Sequence, residues 1–138
     1  MDWKKLISIK HLRTLNEQIY KILSNETFLV REEGSGTRIL LERFLDTIGR
    51  GRQYHKKEFS SNEAIKQGVL AGLGIAMISA STALNEVNEG KIETINLPNL
   101  PIVRQWFLVN LQETNLDPDV LMFKKFLLEN KIELMPLK

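Results

Sequence analysis

Cysteine is absent from this sequence, and histidine occurs only as His11 and His55. Without cysteine there is no disulfide, no thiol nucleophile and no thiolate-bound zinc or iron–sulfur centre. The two histidines are too far apart in the chain to read as a metal-binding pair, so each is expected to be a surface or packing residue. Neither a metal nor another cofactor is expected. Long apolar runs are also missing: nothing approaches the roughly eighteen residues that a membrane-spanning helix needs. The N-terminal MDWKKLISIK lacks the apolar core and small-residue cleavage site of a secretory signal, so a cytoplasmic protein without a membrane partner is expected. Two nucleotide signatures fail as well. A dinucleotide fingerprint would need glycine where Ile39 stands, and a P-loop would need a Gly-Lys-Ser/Thr ending that is not there.

What the chain does have is an ordinary globular balance, 43% hydrophobic and 26% charged over 138 residues, enough for one core or two small lobes. Its most informative stretch runs from Phe28 to Leu45, FLVREEGSGTRILLERFL. Phe28–Arg31 has strand character, Gly34-Ser35-Gly36-Thr37 forms a tight turn, and Leu40, Leu41, Phe44, Leu45 and Ile48 recur at helical spacing. A strand, a glycine turn and a helix follow one another. The first amides of such a helix point into the loop without intrahelical partners, and the macrodipole adds partial positive charge there. Gly34 and Gly36 admit close approach, Ser35 and Thr37 bring hydroxyls, and Arg38 brings charge, which together suit a small anion. The same turn is equally compatible with a plain connection in which Ser35 or Thr37 caps the helix and nothing binds.

Other elements follow from the same patterns. Apolar positions 12, 15, 19, 22 and 23 predict an amphipathic helix over Lys10–Leu23. Gly49 and Gly51 suit the left-handed end of the glycine-turn helix, and Gln53–Phe59 predicts a polar strand near a sheet edge. Ser60 and Glu63 have capping-box spacing, so Asn62 stands at a second exposed helix start, with Ile65, Val69 and Leu73 as its buried stripe. Ala64, Gly68, Ala71 and Gly72 give that helix a smooth side for close packing. Ile75–Ile78 predicts a strand buried on both faces, followed by a helix from Ser79 to Asn88. Further on, Lys91–Leu97 and Arg104–Leu111 predict strands, with Trp106 in the core or, as the alternative, a ligand-stacking platform. Asp117-Pro118 predicts the start of a closing helix whose core face is Val120, Phe123, Phe126 and Leu127.

Alternation of strands and helices predicts an α/β fold with a mostly parallel sheet flanked by helices. In such sheets ligands bind beyond the carboxyl ends of the strands, where Ser35–Thr37, Ser60–Asn62 and Ser79–Ser81 would converge. The chain therefore reads as a binder of small polar molecules. The basic cluster Arg50, Arg52, His55, Lys56 and Lys57 reads as a phosphate patch or a solvated loop, and no recognition-helix or aromatic pattern for DNA accompanies it.

FLVREEGSGTR, then SNEAIKQGVLAGLGIAMIS, then LPIVRQW resemble the effector-binding (inducer- or substrate-binding) domain of LysR-type transcriptional regulators. Within that family the resemblance is to the branch that includes regulators of the RuBisCO (carbon-fixation) operon, and it covers about Phe28 to Leu128. It implies a fold like type 2 periplasmic binding proteins, with 1–138 an effector-domain fragment. Residues 28–97 would be the second regulatory lobe, and 98–138 would return to the first. It also implies inducer contacts from Gly34, Ser35, Gly36 and Thr37, from Asn62, and from Met77 to Ser79. The winged helix-turn-helix of complete members is not found ahead of Phe28, and residues 3–23 match no family motif, so the chain is expected to be a C-terminal portion.

The resulting expectation is a non-catalytic sensor for a small anionic metabolite, altering DNA binding through a parent protein and pairing as a homodimer or higher oligomer. The rival is a solute-binding domain of a transport or sensor system with the same fold. An enzyme would have to recruit Glu32, Glu33 or Glu63, and carboxylates beside helix starts ordinarily serve the dipole and solvent.

Overall fold

A computed structural model describes residues 9–111 and 116–134, apart from the side chains of 9–14, 132 and 134. The side-chain roles expected of His11 and Leu12 therefore lie outside the described residues. The chain divides into two units, Met1–Glu93 and Thr94–Lys138.

The first unit is built on a short parallel sheet. Helix α1 (Ile9–Leu23) leads into strand β1 (Thr27–Arg31), helix α2 (Gly36–Gly49), strand β2 (His55–Phe59), helix α3 (Asn62–Leu70) and helix α4 (Ala80–Asn88). β1 and β2 pair in parallel, Thr27 opposite His55 and Arg31 opposite Phe59. On its other edge β1 meets the chain at Ile75, where Leu29 N–H donates to Ile75 O at 2.8 Å and Ile75 N–H donates to Thr27 O at 2.9 Å. The α/β class and the parallel pairing agree with the sequence patterns. The third strand expected at Ile75–Ile78 is reduced to this one bridge, and its residues are half-buried rather than enclosed on both faces.

β1 owes its place to composition. Phe28, Leu29 and Val30 are 4%, 1% and 2% exposed, a continuous apolar run covered on both faces. Fully burying a side chain such as Leu29 contributes roughly 2 kcal/mol. The polar β2 is an edge strand, as its sequence predicts, and its exposed lysines make that edge unattractive to another strand. α2 and α3 pack on β1, with Leu41, Phe44, Leu45 and Ile48 of α2 and Ile65 of α3 buried, and α1 and α4 add the buried Ile19, Leu23 and Ala83 against those helices. An aromatic file adds to this: Tyr20 meets Tyr54 edge-on and Tyr54 meets Phe28 edge-on, each with ring centroids 5.5 Å apart. Arg52 lies 3.6 Å over the Tyr20 ring and pairs with Glu17 at 2.8 Å, tying α1 to the loop before β2.

Glycines sit where a side chain has no room. A Cβ on Gly68 would come within 2.8 Å of Leu29 Cδ1, which bears out the smooth side of α3 at that position. Gly72 instead turns the chain with φ +70° and faces open space, and Leu73 of the expected stripe is 46% exposed. Gly49 lies inside α2 against Tyr54. The left-handed helix end falls on Arg50, whose N–H donates to Asp46 O.

In the second unit, Asn99 (φ 67°) turns the chain at Pro98–Pro101, and helices α5 (Pro118–Glu129) and α6 (Lys131–Leu134) close it. Asp117 caps α5 by accepting from Asp119 N–H at 2.9 Å, with Pro118 in the first turn as expected. Two expected strands are not formed. Over Lys91–Leu97 the chain winds off α4, with the Lys91 and Ile92 amides both donating to Glu86 O. Arg104–Leu111 is irregular despite its β-forming residues, because apolar composition makes a strand only where a neighbouring edge accepts its hydrogen bonds. Trp106 is 80% exposed, not a core residue, and Val120, Phe123 and Phe126 of the expected core face of α5 are exposed too.

Gly74 tests this arrangement. A Cβ there would collide with the Thr27 carbonyl oxygen and press on Leu29, so Gly74→Ala is expected to cost about 2 kcal/mol or more of stability. Gly36→Ala meets nothing within 4 Å and should stay within about 0.5 kcal/mol. Urea unfolding midpoints of the two variants compared with the parent check both.

Candidate functional site

Because β1 and β2 are parallel and in register, their carboxyl ends lie side by side at Arg31 and Phe59, and the loops leaving them open on one edge of the sheet. Ser35 ends the first loop and precedes α2. Ser61 ends the second and precedes α3. Ser79 follows the Ile75 bridge and precedes α4. The three helix starts differ in a way that matters. Ser61 Oγ accepts from Ala64 N–H at 3.0 Å, a true side-chain cap. Ser35 and Ser79 hold N-cap positions without any side-chain capping bond. Ser79 Oγ instead meets Ser81 Oγ at 2.8 Å. The expected Ser60–Glu63 capping box is thus replaced by Ser61, one residue on, while Glu63 turns to Gln67 and Lys66.

Gly34 takes φ +86°, a conformation that disfavours any side chain, and both Gly34 and Gly36 face open space. The turn is therefore shaped by backbone conformation, with room in front of it. Thr37 is half-buried in the first turn of α2, and Met77 is half-buried beside the exposed Ser79. Asn62 joins the first loop to the second by accepting from Arg31 Nη1 at 3.3 Å.

The charges around the turn are largely spoken for. Arg38, counted on sequence grounds as a ligand cation, donates to Glu42 at 3.0 Å, to Glu58 at 2.8 Å and to the Arg31 carbonyl at 3.2 Å. Its guanidinium pKa is raised chiefly by Glu42, against some desolvation, and it braces the end of β1. Lys56 also binds Glu42, at 2.9 Å, and holds that carboxyl low together with Arg38. Within the basic cluster, Arg52 and Lys56 are thus paired internally, and His55 and Lys57 remain on the exposed edge strand. The cation beside the turn that sequence reasoning passed over is Arg31. Its position as the last residue of β1, followed by two acids, was the available signal.

Sequence reasoning also missed the brace between α3 and α4. Lys66, 9% exposed, pairs with Glu86 at 2.7 Å and Glu63 at 3.1 Å, while Glu86 Oε2 is buried without a hydrogen-bond partner among the described residues. Glu63 three residues before Lys66 was the only local hint, since Glu86 lies on another helix. Among the described residues no group of three histidine or acidic side chains could hold a metal, and no helix is long and apolar enough to cross a membrane.

Two outcomes are expected from these contacts. Ser61→Ala should lower stability by about 1 kcal/mol through loss of the cap, whereas Ser35→Ala, which breaks no capping bond, should be near neutral in urea unfolding. The Glu86 carboxyl is held below its ordinary 4.5 chiefly by the Lys66 hydrogen bond, so its stabilisation is complete above that value and fades as pH falls through the folded-state pKa. Lys66 is raised above 10.5, chiefly by Glu86, so its share is complete below that value and fades only as pH rises through the folded-state pKa. The stability difference between Lys66→Met and the parent should accordingly be largest near neutral pH and narrow below about pH 4. Parallel stability–pH curves for the two would contradict the brace.

Comparison with known proteins identifies the family. Residues 8–131 match the family model described as the LysR substrate binding domain, a match that takes in α1 as well as the motifs from Phe28 onward. The HTH-type transcriptional regulator CbbR of Cereibacter sphaeroides is 46% identical over 99 residues, covering 72% of this chain and 32% of that protein. CbbR of Xanthobacter flavus is 47% identical over 96 residues, 70% of this chain and 29% of that protein. The RuBisCO operon transcriptional regulator of Allochromatium vinosum is 39% identical over 106 residues, 77% of this chain and 35% of that protein. The chain thus spans about a third of the length of these relatives, which are regulators by name and not transporters. No solved structure matches. The chain belongs to the LysR substrate-binding domain family, a family of regulator sensing domains rather than enzymes.

Proposed function

We propose that this chain is the effector-sensing part of a cytoplasmic LysR-type DNA-binding regulator. It binds a small anionic metabolite and through it alters the DNA binding of the parent protein. The observation that carries the reading is the pair of helix starts at Ser35 and Ser79 whose serines do not cap them, opening on the same sheet edge as Asn62. Uncapped amides at the positive end of a helix favour an anion, and Gly34 and Gly36 leave space for it. The ligand contacts are then Gly34, Ser35, Gly36, Thr37, Asn62, Met77 and Ser79, with Arg38 acting by holding the strand end in place.

Family membership supports the finer architecture, a lobe like that of type 2 periplasmic binding proteins. Residues 28–97 then form the second lobe and 98–138 return to a first lobe, with the effector in the cleft between them. The exposed Val103, Trp106, Phe107 and Val109 support that division, since a strand-forming apolar segment of this kind is stable only when covered. Coupling to DNA is then a shift between lobe arrangements, which requires an effector that prefers one of them. Pairing of the parent as a homodimer or higher oligomer follows the same family logic.

An amide NMR titration with phosphorylated sugars and small carboxylates, at two salt concentrations, tests the reading. Saturable shifts clustered at Gly34–Arg38, Asn62 and Ser79 are expected from one of these classes. A well-dispersed spectrum in which none of those amides moves with any of them would overturn it.

A further inference from the structure

Two guanidinium groups flank the glycine turn, and they are bound in different ways. Arg38 is held by two carboxylates and a backbone carbonyl, with its side chain 19% exposed. Arg31 is held by one carboxylate, that of Glu32, its immediate neighbour in the chain. Nε donates to Glu32 Oε2 at 2.7 Å and Nη2 donates to Oε1 at 2.6 Å, two parallel bonds along one edge of the fork. Nη1 reaches across to Asn62 at 3.3 Å. Arg31 shares its strand face with Leu29, which packs on Gly68 of α3, and this is what aims the fork at the start of that helix.

The geometry of the Arg31–Glu32 pair is the one by which arginine recognises a carboxylate or phosphate group. The partner, though, belongs to the chain itself and is easily released. Glu32 is 45% exposed, so water can receive its carboxylate, whereas the Arg31 side chain is 22% exposed and has a second hold in its bond to Asn62. Exposed pairs of this kind contribute little stability, so exchanging one oxyanion for another is nearly free of cost.

We infer that Arg31 is the charged anchor of the effector site, and that Glu32 occupies its fork as an internal stand-in for the effector's terminal oxyanion. Binding exchanges the Glu32 carboxylate for the ligand's carboxylate or phosphate, and Nη1 keeps its bond to Asn62. This deepens the function proposed above and rests on it. The exchange makes the site selective. A neutral molecule cannot displace Glu32, and an anion must offer two oxygens in one plane at the spacing of a carboxylate or of two phosphate oxygens. It also explains how a site beside several acids receives an anion, since the carboxylate held on the Arg31 fork moves aside as the ligand enters.

The test uses the full chain, with inorganic phosphate and acetate as separate probes, and follows both the backbone amides and the Arg31 Nε–H resonance. Glu32→Gln removes the competing charge and should tighten binding of the preferred probe by about threefold or more. Arg31→Gln should weaken it about tenfold or more, and Arg31→Lys, which keeps the charge but loses the fork, should recover only part of that loss. Phosphate binding without acetate binding, or the reverse, tells which oxyanion the fork prefers. If a probe moves the amides at Gly34–Arg38 while the Arg31 resonance stays put and Glu32→Gln binds no more tightly, the exchange is wrong and the sensing function stands. If neither probe moves any of those amides in the parent or in Glu32→Gln, both fail. Circular dichroism of each variant identifies any that do not fold, and Glu32→Gln, a change at a half-exposed side chain, then decides on its own.

Discussion

Everything in the first unit depends on how closely the chain at Gly74–Ile75 can approach Thr27. Two backbone hydrogen bonds, at 2.8 and 2.9 Å, join Ile75 to β1, and they form only because residue 74 has no side chain to place against the Thr27 carbonyl. With β2 paired on the other edge, β1 gains hydrogen-bonding partners on both sides, which its buried Phe28-Leu29-Val30 run requires. The loops at Ser35, Ser61 and Ser79 share a sheet edge because the segments before them are parallel and anchored to the same five residues. The shared edge is thus a consequence of backbone accommodation at one glycine.

The second constraint is electrostatic. Basic and acidic side chains are dense around the carboxyl edge, yet most cancel locally: Arg38 with Glu42 and Glu58, Lys56 with Glu42, Lys66 with Glu86 and Glu63. Arg38–Glu58 and Lys56–Glu42 brace α2 against β2 and Lys66–Glu86 braces α3 against α4, while Arg38–Glu42 and Lys66–Glu63 lie within one helix. A catalytic carboxylate would be expected to carry a raised pKa in a poorly solvated place. Here Glu32 and Glu63 are held low by the hydrogen bonds of Arg31 and Gln67 respectively, so they remain ionised and are poor proton donors at neutral pH. On the function proposed above, the site is then suited to holding charge rather than to moving protons.

How much of this was legible in the sequence varies along the chain for physical reasons. The elements from α1 to α4 follow local signals: apolar period, cap residues and glycine turns decide them before any tertiary contact is made. The second helix start was misread by one residue, because Ser60 and Ser61 are both competent caps and only backbone geometry chooses between them. The strands expected at 91–97 and 104–111 failed for a different reason. Their residues favour a pleated surface, but a strand is a property of two chains of hydrogen bonds, and composition cannot supply the second. Of the candidate site, the glycine turn, Asn62 and the Ser79 loop were readable from spacing and topology. The state of Arg38 was not, because its neutralisation depends on Glu42 one helical turn away and on Glu58 in the neighbouring strand.

The contrast among the three serines carries the argument one step further. A helix start that exists only for stability should be capped, because an unsatisfied amide costs free energy whenever water is excluded from it. Ser61 obeys this rule, and α3 is also the helix held by the Lys66 brace. Ser35 and Ser79 make no side-chain cap for the first amides of their helices, although in α4 the Thr82 N–H does donate to the Ser79 carbonyl at 3.0 Å. A ligand that satisfies those amides binds the folded chain and not the unfolded one, so it raises stability in proportion to its own occupancy. On the function proposed above, the capped helix is the fixed wall of the site and the two starts without a side-chain cap are the responsive ones. Under that proposal a small anion would change the stability of the folded chain without reorganising the strand on which all three loops stand.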